Sequence, residues 1–132
     1  MKMNTGLIVI ILMAVAFAIF YFIRNQDSAT TMNSQTFKEE IKQGSGVVID
    51  VRTADEFSGG HLELTDHNFD VMSGEFQAKL DSLDKSKTYY LYCRSGNRSG
   101  KAMKMMKQYG FEDVHNIGGY QELVNAGLES SR

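Results

Sequence analysis

The sequence predicts an α/β domain: a central, mostly parallel sheet with helices on both faces, preceded by one hydrophobic helix. Three observations predict it. Residues 46–51 (GVVIDV) form a continuous apolar, β-branched run, the pattern of a strand buried on both faces, and residues 88–93 (TYYLYC) form a second strong strand. Segments of helical periodicity alternate with the strands, which implies right-handed βαβ units and a parallel sheet. A charge-free run near the N-terminus stands apart from the rest, leaving roughly 100 residues, enough for one small domain with one core.

The charge-free run is GLIVIILMAVAFAIFYFI, 18 residues at positions 6–23. As a helix it rises about 27 Å, close to a hydrocarbon core about 30 Å thick. It exceeds the apolar stretch of about 7–15 residues found in signal peptides, and no clear Ala-x-Ala site follows it. We read it as an uncleaved single-span anchor, with a cleaved signal peptide as the alternative. Lys2 and the amino terminus lie before it and Arg24 after it. The positive-inside rule then places the N-terminus in the cytoplasm and the domain outside, in the periplasm of a bacterial cell. Cleavage would export the domain as well. The expected division is 1–24 as anchor or signal, 25–35 as a polar linker without periodicity, and 36–132 as the folded domain.

Within that domain, TFKEEIKQG is expected as a short helix. Thr36 and Glu39 make a capping box, Phe37 and Ile41 stand four apart, and Gly44 supplies a stop. After the first strand, RTADEFSGGH reads as a loop with room for one helical turn, and NFDVM as a short strand. SGEFQAKLDSLDKSK places Phe76, Leu80 and Leu83 on one helical face with Ser73 as N-cap. After the second strand, SGKAMKMMKQYG spaces Ala102, Met103, Met106 and Tyr109 for one face, with Gly110 just past the end. Its methionines are expected to fill core. EDVHNI follows as a strand and YQELVNAG as a closing helix. The chain has no proline, so its turns rest on Gly, Asn, Asp and Ser.

With 14 basic and 16 acidic residues, the chain offers no basic face for nucleic acid. One cysteine cannot form an internal disulfide, and one cysteine with three histidines (His61, His67, His115) suggests no spaced zinc site; no metal or cofactor is expected.

Cys93 ends the second strand, just before a helix, at the sheet edge where open α/β folds bind ligands. The intervening loop contains Gly96 and Asn97, which tolerate positive φ, so it can turn several N–H groups inward as an anion-binding nest. The helix points its positive end at the same place, and Arg94 and Arg98 add charge. All of these favour thiolate over thiol and attract an anionic substrate. The competing reading is a buried apolar cysteine. The strand-Cys-x-x-Gly-x-Arg-helix pattern favours the thiolate.

CRSGNRS resembles the active-site loop of the single-domain rhodaneses, a sulfurtransferase family. VVIDVRTADEF is similar to that family's Asp-Val-Arg element, and the Gly-Gly-His ending at His61 and YGFEDVHNIGG extend the likeness over residues 36–127. The family implies the rhodanese fold and transfer of a sulfane sulfur through a Cys93 persulfide. The donor would be a small thiosulfate-like anion. The acceptor would be an external thiol, a cyanide-like nucleophile or a protein, since no second cysteine is present to resolve the persulfide. The loop Arg94, Ser95, Gly96, Asn97, Arg98 and Ser99 would bind the substrate, with Arg94 at the pocket mouth and Arg98 as a brace. Asp50, Arg52, Glu56 and His61 would support it: Asp50 and Arg52 as an ion pair or in catalysis, Glu56 as a tie or a solvated charge, His61 chiefly through hydrogen bonding. Gly118 and Gly119 would allow a tight turn beside the site. Phosphatases with a cysteine nucleophile place five residues between Cys and Arg; four lie between Cys93 and Arg98, which disfavours a phosphatase or arsenate reductase. A non-catalytic binding module at the membrane is the other alternative. The chain departs from the family at LELTDHNFDV, acidic and without Pro or Gly after the histidine, and at Leu123, where many relatives carry tryptophan.

Overall fold

The computed structural model describes residues 2–25 and 30–132. In chain order the elements are α1 (Thr5–Asn25), α2 (Ser34–Gln43), β1 (Val47–Asp50), α3 (Ala54–Gly59), β2 (His61–Leu62), β3 (His67–Asn68), α4 (Glu75–Lys79) continued by a 3₁₀ turn (Leu80–Ser82), β4 (Thr88–Cys93), α5 (Asn97–Gln108), β5 (Asp113–Gly119), α6 (Tyr120–Asn125) and β6 (Ser130–Ser131). Four strands form a parallel sheet in the order β3-β1-β4-β5, while β2 and β6 make a separate antiparallel pair.

β4 explains the layering. Its side chains alternate between two apolar clusters, so both faces of the sheet are buried. Tyr89, Leu91 and Cys93 pack with Phe76, Leu80, Ala102, Met103 and Met106, under α4 and α5. Tyr90 and Tyr92 pack with Phe37, Ile117, Leu123 and Leu128, under α2 and α6. The expected fold class, with helices on both faces, is the one observed. Leu123 is buried in the second cluster, where its aliphatic side chain packs against the sheet.

Several local expectations need correction. The α2 helix starts earlier than its Thr36–Glu39 pattern suggested: Asn33 is the N-cap, its side chain accepting the Gln35 N–H at 2.8 Å. Gly44 does stop it, but in an extended conformation. RTADEFSGGH forms a true helix, α3, held by a capping box in which the Thr53 hydroxyl and the Glu56 carboxylate satisfy each other's N–H groups. Only His67–Asn68 pairs in place of the longer strand NFDVM; Phe69 and Val71 then turn into the first cluster. The helix expected after Ser73 begins behind Gly74, and its last turn tightens to 3₁₀, where the Ser82 hydroxyl bonds the Lys79 carbonyl at 2.7 Å. Ala102, Met103 and Met106 are buried as expected, whereas Tyr109 is 49% exposed. The β2–β6 pair has no clear sequence signal, since two-residue strands carry no period.

The acidic segment after His61 is held by its own polar side chains. The Asp66 carboxylate accepts the Val48 N–H at 2.8 Å. The Asn68 amide donates to the carbonyls of Asp50 (3.1 Å) and Arg52 (2.9 Å).

In α1, residues 5–23 form one helix long and apolar enough to cross a membrane, none of it buried. That length and composition suit a membrane span and a signal sequence alike. Residues 26–29 of the expected linker lie outside the described residues.

Candidate active site

Cys93 is the last residue of β4, and α5 begins four residues later. Gly96 makes so short a turn possible: at φ +90 it swings the chain from the loop into the helix. No other residue between Cys93 and α5 has positive φ, so Asn97, expected to share this role, is instead the first residue of the helix. The turn brings the Gly96 N–H to 3.1 Å from Cys93 Sγ and the Ser99 hydroxyl to 3.4 Å from it.

The sulfur itself is fully buried. Burial is the largest single influence on the thiol and pushes its pKa up. The Ser99 hydroxyl and the N–H groups of Ser99, Ser95 and Gly96 together outweigh burial and hold the pKa below its ordinary value. Around this centre Arg94, Ser95 and Asn97 are exposed, while Ser99 is buried.

Arg98 points away from solvent capture. Its guanidinium grips the Glu56 carboxylate in a bidentate pair of 2.7 and 2.9 Å, fastening α5 to α3. The bond to Arg98 is the main reason the Glu56 carboxyl sits at about 2. Asp50 and Arg52 are both buried and occupied with each other: Arg52 Nε and Nη2 donate to the carboxylate at 2.7–3.0 Å, and Nη2 also donates to the Gly60 carbonyl at 2.7 Å. The Arg52 guanidinium lies over the rings of Tyr92 and Tyr120. This cluster ties the end of β1 to the turn before His61. His61 donates from Nδ1 to the Phe57 carbonyl at 3.0 Å and stacks on the Phe57 ring at 3.7 Å. His67 stacks on Phe69, and His115 pairs with Asp113 at 2.6 Å; neither contact involves the loop.

Gly118 and Gly119 lie directly under the loop. A Cβ on Gly119 would stand 2.6 Å from the Arg94 carbonyl oxygen, so the loop can rest on β5 only where no side chain exists. A register shift in the β4–β5 pairing, where Leu91 meets Asn116 but Tyr92 meets Gly118, brings Gly119 opposite Cys93.

The residue that sequence reasoning missed is Asn116. Its buried side chain accepts the Ser99 hydroxyl at 2.7 Å and the Gly118 N–H at 3.1 Å, and donates to the Gly96 carbonyl at 2.9 Å. An amide at the head of the buried stretch NIGG was the available signal, because buried polar groups require partners.

A groove of about 540 Å³ lies elsewhere, lined by residues including Lys38, Lys42, Glu63 and Glu129, none of them from the cysteine loop. Among the described residues no cluster of His, Cys, Asp and Glu suits a metal ion.

The fold and the loop define a class: a parallel α/β domain that presents one cysteine sulfur to backbone N–H groups at the start of a helix. The rhodanese-like domain family model matches residues 33–126, and the chain belongs to that family. A candidate sulfur carrier protein of Bacillus subtilis, YrkF, is 28% identical over 70% of this chain, which spans only 49% of that relative's length. The thiosulfate sulfurtransferase GlpE of Pseudomonas savastanoi is 32% identical over 67% of this chain and 80% of its own. Among solved structures, a rhodanese-related protein of Thermoplasma volcanium is similar with a TM-score of 0.63 and 28% identity, over 76% of this chain and 96% of that one.

Proposed function

We propose that this chain is a sulfurtransferase that carries sulfane sulfur as a Cys93 persulfide. The observation that carries this reading is the sulfur's setting: N–H and hydroxyl donors of the loop converge on Sγ at the N-terminus of α5. In the first step the Cys93 thiolate attacks the outer sulfur of a thiosulfate-like donor. A new S–S bond forms to Cys93, the donor's S–S bond breaks, and sulfite leaves with the bonding pair. The terminal persulfide sulfur carries the negative charge that the loop donors stabilise. In the second step an external thiol or cyanide attacks that outer sulfur, and Cys93 departs as thiolate, so the cycle needs no oxidant or reductant.

Exposed Arg94 recruits the anionic donor, and Arg98 with Glu56 braces the loop from behind. Asp50, Arg52 and His61 act as structural support: Arg52 bonds Asp50 and the Gly60 carbonyl, and His61 Nδ1 bonds the Phe57 carbonyl. The name of the GlpE relative supports thiosulfate as donor class. We further propose that α1 anchors the protein in the cell membrane, with residues 36–132 on the extracytoplasmic, periplasmic side. Lys2 with the amino terminus before the span, against Arg24 alone after it, give that orientation its basis.

The test is the intact mass of the full-length protein, purified in detergent and treated with thiosulfate. One sulfur atom should be gained, lost again on adding cyanide, and absent in Cys93→Ser. No gain in the unmutated protein overturns the reading.

A further inference from the structure

Cys93, Ser99 and Asn116 form a chain of contacts whose hydrogens can be counted. Asn116 Nδ2 faces the Gly96 carbonyl, and Oδ1 faces the Gly118 N–H, so the amide orientation is fixed by its neighbours. Oδ1 also receives the Ser99 hydroxyl at 2.7 Å. The same hydroxyl oxygen lies 3.4 Å from Sγ. Asn116 therefore touches two of the residues that reach the sulfur: it holds Ser99 by the hydroxyl and Gly96 by the carbonyl, while the Gly96 N–H makes the 3.1 Å contact to Sγ.

Topology puts Asn116 in this position. It pairs with Leu91, two residues before Cys93, and side chains two apart on a strand share a face. It thus points to the face of the sheet that carries Cys93. The register shift after it keeps Gly118 and Gly119 beneath the loop, leaving the amide as the side chain of β5 that reaches up to Gly96. From the other side, the Met32 N–H donates to the Asn116 carbonyl at 2.7 Å, fixing the backbone of the same residue. Met32 precedes the matched family segment, so this second support comes from outside it.

We propose that Asn116 is the positioning residue of the cysteine loop: by gripping the Gly96 carbonyl and the Ser99 hydroxyl together it sets the Gly96 N–H against the Cys93 sulfur. Without it, Gly96 loses the anchor of its carbonyl, Ser99 is free to rotate, and the buried carbonyl and hydroxyl are left short of partners. Asn116 itself makes no contact with Sγ; it acts through Gly96 and Ser99, which do. The proposal rests on Cys93 as the nucleophile.

The experiment is the pH profile of Cys93 alkylation by iodoacetamide in the full-length protein in detergent. Cys93 is the only cysteine, so the readout is unambiguous. No sulfur donor is involved, so failure of sulfur transfer and failure of this proposal are read separately. Asn116→Ala should raise the midpoint by about one pH unit, equivalent to a roughly tenfold slower reaction at a fixed pH below it. Ser99→Ala should raise it as well, and the double variant by less than the sum of the two. Should Asn116→Ala unfold, Asn116→Thr carries the test: its branched side chain suits a strand, and its hydroxyl replaces one of the three bonds, so the midpoint should rise by a smaller amount. The charges around the sulfur, namely Arg98 with Glu56, the Asp50–Arg52 pair, exposed Arg94, and Glu122 beyond Gly118, are unchanged in every variant. An unchanged midpoint overturns the proposal. So does a lowered one, which would mean that releasing the Ser99 hydrogen to the sulfur outweighs the placing of the Gly96 N–H.

Discussion

Glu56 serves two partners at once. Its carboxylate closes the capping box of α3 through the Thr53 N–H and receives both arms of the Arg98 guanidinium. Its carboxyl sits at about 2 in the folded protein, chiefly through the bond to Arg98, against about 4.3 for an unfolded glutamate. A carboxyl held low in the folded state adds stability that is complete above the unfolded value and fades as pH falls toward the folded one. Glu56→Gln removes the charge while leaving a residue that still suits the box. The side chains are 23% and 30% exposed, so solvent screens the pair and its contribution is about 1 kcal/mol. Urea unfolding followed by tyrosine fluorescence should therefore find the variant less stable by that amount above about pH 5. The difference should shrink between about pH 4.5 and pH 2. A difference independent of pH would assign the loss to packing instead of charge.

At the level of elements, the parts legible in the sequence were those with a physical period or a fixed backbone requirement. The two apolar runs became β1 and β4, and the apolar face of α5 became core, because burial on both sides leaves no alternation to misread. The position of Cys93 between strand and helix was equally plain. What stayed hidden depended on partners distant in sequence. Arg98 and Glu56 are 42 residues apart, and their bond follows from the packing of α3 beside α5. Asn116 looked like one polar residue in a strand until the β4–β5 register placed it under Gly96. The Thr53–Glu56 box was readable but lay in a segment rich in glycine and polar residues. Gly119 is where strand and loop are closest, and it tests that contact directly. Gly119→Ala would put a methyl group 2.6 Å from the Arg94 carbonyl oxygen and 3.3 Å from Ser95 Cα. Both neighbours are backbone, so the loop must move. Overpacking of this kind costs about 1–3 kcal/mol. The variant should melt lower and load sulfur from thiosulfate at least several-fold more slowly. A loading rate equal to that of the unmutated protein would show that the loop does not need its seat on β5.

For the whole molecule, α1 poses the largest unbalanced term. Residues 5–23 are almost all apolar and none is buried, so nothing among the described residues covers them. An apolar surface of this extent in water calls for a cover, and a helix of this length suits a membrane span and a signal sequence alike. The tether is short. From Asn25 to Met32 the chain advances seven residues, at most roughly 25 Å when fully extended. Met32 is bonded to Asn116, beneath the cysteine loop. If α1 stays in the membrane, Met32 lies within that reach of the helix end, and a protein acceptor approaches the loop near the bilayer surface. The decisive measurement is intact mass combined with carbonate extraction of native membranes. Retention in the pellet with the mass of all 132 residues is expected. Ala14→Arg places a charge near the centre of the span at a cost of about 2.5–3.5 kcal/mol and should reduce membrane insertion. A shortened, soluble chain lacking α1 would identify the helix as a cleaved signal, and the sulfur site would then act free of the membrane.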